Sequence, residues 1–204
     1  MDKVFTKLIK KDPKLKPVLG TNRELPLTNH TGDIYFDLVR TIAYQQLHGA
    51  AAAKIFGRFM DLFEDAYPHP HQVAEMEIEE FRAVGYSKQK GSYIKNIAQF
   101  ALENDFENRD WEAMEDEEVI KFLTQIKGVG EWTAQIILLF PLGRPDIFPS
   151  GDFGVQSAMK KLYKLKQEKK DLIKKIKKIS EAWRPHRSIV SRYLWLWTDD
   201  KKKD

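Results

Sequence analysis

Two glycines one residue apart, Gly128 and Gly130, are followed about twenty residues later by a carboxylate, Asp152, which ends the run Phe148-Pro149-Ser150-Gly151. Glycines at that spacing let a chain turn sharply without Cβ clashes. They also leave bare amides at a helix N-terminus, whose partial positive charge suits a phosphate. The same Gly-x-Gly equally makes a plain helix–helix connection closed by a glycine C-cap. Asp152 has two readings as well: it caps the helix that follows, or it is an anion placed against a developing positive charge. A hairpin followed by an acid-ended loop is rarer than either part alone. His69 and His71 flank Pro70 and invite a metal reading, but no third ligand is in sight and a surface turn accounts for them.

The elements that must position these residues are helical nearly everywhere. Apolar residues recur at three- and four-residue spacing in Ile34-Leu38-Ile42, Ile55-Phe59-Leu62-Phe63, Ile94-Ile97-Phe100-Ala101, Val119-Phe122-Leu123 and Ile136-Ile137-Phe140. No stretch alternates with period two between hairpin turns, so the expected fold class is all-α with little or no sheet. Asp116 or a neighbouring acid opens a helix running to Gln125, and a tight turn follows at 127–130. A second helix starts near Glu131 and runs to about Leu139. A third opens near Asp152 and carries Val155, Met159 and Leu162 on one face. The residues from Asp199 onward are expected to fray.

Composition narrows the chemistry. The absence of cysteine among 204 residues excludes disulfides, thiolate zinc sites and iron–sulfur clusters. The charged first dozen residues lack the apolar core of a signal peptide, and no apolar run approaches the roughly 20 residues that span a bilayer. An intracellular protein without membrane contact is expected, in a bacterial cytoplasm near the nucleoid, or in the nucleus if the source is eukaryotic. The net charge is only +4, but it is unevenly spread: acids crowd the segment 103–118 and lysines the segment 160–178. That asymmetry fits one face turned to a polyanion, although the lysines between 169 and 178 taken alone read as a solvated helix surface.

The stretch 126–156, IKGVGEWTAQIILLFPLGRPDIFPSGDFGVQ, resembles the helix-hairpin-helix motif and catalytic loop of the helix-hairpin-helix DNA glycosylases, in their DNA-3-methyladenine glycosylase II (AlkA-type) branch. Three further segments agree and stand in the family's order. Leu38-Val39-Arg40-Thr41-Ile42 leading into Gln45-Gln46-Leu47-His48 resembles the minor-groove segment. Gly85-Tyr86-Ser87-Lys88-Gln89-Lys90 resembles the loop on the other side of the lesion. Trp183-Arg184-Pro185-His186-Arg187-Ser188, continuing to Trp195, resembles the C-terminal signature helix. Two departures stand out: Lys127 occupies the position where the family often has proline, and there is no room for the N-terminal β-domain of some relatives.

The resemblance implies one compact domain, 1–204, of two helical lobes with the active site in the cleft between them. One lobe would span about 33–135 with the hairpin, and the other about 1–32 plus 136–198. It implies a monofunctional glycosylase of base excision repair that flips an alkylated purine out of double-stranded DNA and hydrolyses its N-glycosidic bond. Asp152 would be the catalytic carboxylate. Trp132, Ile136 and Trp195 would line the base pocket, with a cationic base drawn to the tryptophan face. Gln46 would plug the vacated stack, with His48 beside it in the minor groove. Ser87, Lys88, Lys127, Gly128 and Gly130 would contact the strand. Bifunctional relatives carry a lysine where this chain has Trp132, so no lyase activity is implied. No cofactor is required, but the hairpin carbonyls of Thr124, Ile126 and Val129 match positions that bind Na+ or K+ in the family. A monomer is expected, since a lesion makes its DNA asymmetric. The competing readings are a non-catalytic helix-hairpin-helix DNA clamp, a glycosylase/lyase acting on oxidised bases, and a helical scaffold with a lysine-rich face.

Overall fold

The computed structural model describes residues 3–20, 24–25, 30–45 and 49–200, without the side chains of Asp199 and Asp200. Twelve α-helices and two short 3-10 turns, and no strand, lie among the described residues. None of these helices is long and apolar enough to cross a membrane. The chain falls into two units: residues 29–142, and residues 1–28 with 143–204.

The unit 29–142 holds α3 (Ile34–Tyr44), α4 (Gly49–Met60), α5 (Pro70–Glu75), α6 (Ile78–Val84), α7 (Lys88–Glu103), α8 (Asp116–Leu123) and α9 (Glu131–Leu139). The three- and four-residue apolar spacing becomes one core, with Leu38, Ile42, Phe59, Phe81, Ile94, Ile97, Leu123 and Ile137 almost fully buried. Helix α7 is its axis, packed by α3, α5 and α6. It comes close to α6 because residue 91 is glycine: a Cβ there would sit 2.8 Å from the Phe81 Cβ. Reciprocal Glu77/Glu80 and Glu115/Glu118 capping boxes start α6 and α8, satisfying amides that the first turn leaves without partners. Ahead of α3, the fully buried Asp37 carboxylate accepts from the backbone amides of Thr31 and Gly32 and lies 3.1 Å from His30 Nδ1. It ties the entering chain to the helix.

The second unit is built from α1 (Lys3–Lys11), α2 (Lys16–Leu19), α10 (Phe153–Tyr163), α11 (Lys169–Ser180) and α12 (Arg187–Asp200), with 3-10 turns at Pro13–Leu15 and Glu181–Trp183. Trp183 is fully buried among Leu15, Phe148, Met159 and Ile176. Its indole N–H donates to Asp12 Oδ2 at 3.0 Å, and the Tyr163 hydroxyl donates to the same oxygen. Helix α11 buries Leu172, Ile176 and Ser180 and exposes its lysines, the arrangement of an ordinary amphipathic surface helix. Helix α12 runs through Asp200, so the first two residues of the expected frayed tail are helical.

Candidate functional site

The expected tight turn lies between α8 and α9. Helix α8 ends at Leu123, two residues before the expected Gln125, because the amides of Gln125 and Ile126 bond the carbonyls three residues back, Phe122 and Leu123, at 3.2 and 3.1 Å, tightening the turn. The Val129 amide then bonds the Ile126 carbonyl at 2.9 Å, and Gly130 serves as the N-cap of α9. Gly128 has φ +108°, a conformation side chains resist. A Cβ there would stand 2.3 Å from Cγ of Tyr93 on α7. Asn96, one turn further along α7, donates to the Lys127 carbonyl at 2.9 Å. Gly130 differs: its φ is −96° and nothing lies within 4 Å of the place a Cβ would occupy. Gly128 is thus required by the fold, whereas Gly130 leaves open space over the start of α9. Lys127 is exposed beside them.

Helix α9 carries the half-buried Trp132 and, one turn on, Ile136 at 8% exposure. Between them Thr133 is buried and accepts from the Gln45 side-chain amide at 2.9 Å, which joins the end of α3 to α9. Gln45 therefore has the buried helix–helix role. Gln46 and His48 lie outside the described residues. Ser87 caps α7, accepting from the Lys90 amide at 3.1 Å, and Lys88 is exposed in its first turn. The Lys90 ammonium donates to the carbonyls of Ala43 and Gln45 at 2.9 and 2.8 Å. Burial holds it below the usual lysine range. Lys90 thus satisfies carbonyls that the last turn of α3 leaves open, a role the sequence reading missed. A cavity of about 300 Å³ opens here, lined by Gln45, Tyr86, Ser87, Lys90 and Tyr93 among others.

In the other unit Asp152 is the N-cap of α10. Its Oδ1 accepts from the Val155 amide at 2.8 Å and from the Trp195 indole N–H at 2.7 Å. The capping role and the anion role are therefore compatible, since a carboxylate keeps its charge while it accepts from the amide. The second bond explains Gly154: a Cβ there would lie 2.9 Å from Trp195 Cδ1 and 3.1 Å from Asp152 Oδ1. Only glycine lets indole and carboxylate meet without displacement. The loop 143–152 leading to Asp152 is fastened to the N-terminal half of α12. Arg187 donates through Nε to Asp146 Oδ1 at 2.8 Å and through Nη2 to the Asp146 carbonyl at 2.7 Å. Ser188 Oγ accepts from the Ile147 amide at 2.8 Å and donates to the Arg144 carbonyl, and Ser191 Oγ donates to the Ile147 carbonyl at 3.2 Å. Within the loop, Gln156 Nε2 holds the Ser150 carbonyl at 2.8 Å. The Arg-x-x-Arg-Ser signature at 184–188 was visible as a motif, but its function as a clamp on the acid loop was not.

His69 Nε2 lies 2.8 Å from Asp65 Oδ2, and His71 sits in the short helix α5. No group of three histidines and carboxylates able to hold a metal lies among the described residues.

Residues 39–185 match the model of the HhH-GPD superfamily of base excision DNA repair proteins. The chain is similar to DNA-3-methyladenine glycosylase 1 of Schizosaccharomyces pombe, at 31% identity over 197 residues, 96% of this chain and 82% of that protein. Among solved structures it is similar to the 3-methyladenine DNA glycosylase of S. pombe in complex with abasic DNA, with TM-score 0.81 and 31% identity, covering 95% of each chain. It is also similar to a DNA-3-methyladenine glycosidase of Bacillus halodurans, with TM-score 0.81 and 29% identity, covering all of this chain and 92% of that one.

Proposed function

The chain belongs to the HhH-GPD superfamily of base excision DNA repair proteins, and from that premise we propose that it is a monofunctional DNA glycosylase releasing alkylated purines such as 3-methyladenine and 7-methylguanine from duplex DNA. The observation that carries the reading is the fixed carboxylate of Asp152, held at Oδ1 by the Val155 amide and the Trp195 indole. The relatives from S. pombe and Bacillus halodurans, at about 30% identity and both named for 3-methyladenine, supply the substrate class.

The C1′–N bond is inaccessible within stacked DNA, so the nucleotide must leave the helix. An alkylated purine carries positive charge and departs with the bonding electrons as a neutral base, so no general acid is needed. The sugar left behind resembles an oxocarbenium ion, and Asp152 places negative charge against it. Water adds at C1′, and its proton passes to the carboxylate or to solvent. Because the Trp195 edge is bonded to Asp152, a base stacked on that indole would bring its glycosidic bond beside the carboxylate. Trp195 then has two tasks, positioning the anion with its N–H and attracting a cationic base with its face. Trp132 stands where a lyase would need lysine, which supports hydrolysis.

The remaining contacts follow from the hairpin. The space above Gly130 admits a phosphate to the first amides of α9, with Lys127, Ser87 and Lys88 beside the strand. Gln46 fills the vacated stack and His48 enters the minor groove. A carbonyl accepts at two lone pairs, and Ile126 uses one on Val129, so the turn at Thr124, Ile126 and Val129 keeps capacity for Na+ or K+. The protein works as a monomer on an asymmetric substrate.

The test is release of free bases from methylated duplex DNA, comparing wild type with Asp152→Asn at matched DNA affinity. Wild type should free methylated purines without cutting the strand, and the variant should bind yet release them at least about a hundredfold more slowly. If neither protein releases a base while both bind DNA equally, the chain is a non-catalytic clamp and the assignment fails.

A further inference from the structure

Phe153 is the most exposed large apolar side chain among the described residues, at 81%; the next two, Leu62 and Leu102, are near 50% and lie in the other unit. Nothing among the described residues covers it. It follows Asp152 directly as the first residue of α10, while Asp152 itself is turned toward Trp195 and Gly154. The high exposure of Phe153 shows that its ring faces outward.

Asp152 can act only in contact with the sugar of the flipped nucleotide. Consecutive Cα atoms are about 3.8 Å apart, so a strand whose sugar touches Asp152 also runs past residue 153. The residue next to Asp152 therefore lies within one nucleotide step of the reacting C1′. A phenyl ring has no charge or donor for a phosphate, but it matches the carbon face of a deoxyribose. We propose that Phe153 packs on the deoxyribose of the nucleotide adjacent to the flipped one, seating the strand so that Asp152 meets C1′. This rests on the glycosylase reading and adds a substrate contact to it.

The experiment measures affinity of wild type, Phe153→Ala and Phe153→Leu for two duplexes, one carrying a stable abasic-site analogue and one unmodified, across a salt series. Melting temperatures and base release by wild type are measured alongside. Removing an apolar contact of this size should weaken binding to the abasic duplex by about tenfold, and leucine should recover most of it. The loss on unmodified duplex should stay within about twofold, and the slope of affinity against salt should not change, because no phosphate contact is removed. An exposed ring predicts unchanged melting. Phe153→Ala binding the abasic duplex within about twofold of wild type overturns the proposal, as does an equal loss on both duplexes or a reduced salt slope. Failure of wild type to release methylated bases sinks the glycosylase reading instead, so the two failures are read from separate measurements.

Discussion

In the hairpin between α8 and α9 the restraint is backbone and one ring: Gly128 at φ +108° is pressed against Tyr93, and a single side-chain bond from Asn96 holds the turn. In the loop before α10 the restraint is polar and comes from far along the chain, as Arg187, Ser188 and Ser191 reach back more than forty residues to Asp146, Ile147 and Arg144. The hairpin offers main-chain amides, so its own geometry is what must be kept. The acid loop offers one carboxylate, so what must be kept is its position against Trp195, and that takes outside struts. A part that presents backbone can be stiffened locally, whereas a part that presents a side chain must be triangulated.

The largest effect that would test this contrast is Gly128→Ala. A Cβ at 2.3 Å from the Tyr93 ring, in a left-handed conformation, should cost about 3 kcal/mol or more of unfolding free energy. Denaturant titration measures it, and a loss under about 1 kcal/mol would mean that the turn yields easily. Arg187→Ala comes next. It strips a mostly buried, multiply bonded guanidinium from Asp146, and about 2 kcal/mol of stability should go with it. Base release should fall further than DNA affinity, since the loop and not the hairpin is loosened. Equal falls in both would make the clamp a general prop. The smallest effect on folding belongs to Gly130→Ala, about 1 kcal/mol, because a Cβ there meets nothing and only the poorer N-cap of α9 counts against it. Its affinity for duplex DNA should nevertheless drop several-fold if a phosphate needs that space. The two glycines of one motif would then divide cleanly, one serving the fold and one the ligand.

What the sequence made legible follows the same division. The helix over Glu131–Leu139 and the cap at Asp152 could be read because their signals are local: periodic apolar residues, a glycine pair and an acid before a helix. The end of α8 was missed by two residues because the last amides switch to carbonyls three residues back, a tightening with no sequence signal. Trp195 was readable as an aromatic face but not as a hydrogen-bond donor to Asp152, since spacing along one chain does not reveal an edge contact 43 residues away. Lys90 on the α3 carbonyls, Asp37 beneath its loop, and Asp12 between Tyr163 and Trp183 were hidden for the same reason. Each is a polar pair joined by tertiary structure, with no periodic trace.

The clamp on the acid loop also has an implication for the order in which the protein comes into being. Residues 29–142 form one unbroken stretch, so everything needed for the hairpin is synthesised before the acid loop. The unit that holds Asp152 draws on residues 1–28 and 143–204, and its carboxylate has no indole partner until Trp195 has been synthesised. On the proposed function, the phosphate-binding hairpin is therefore made before the pair of Asp152 and Trp195 is complete, and a chain ending short of α12 would contain the hairpin but lack the indole partner of the carboxylate.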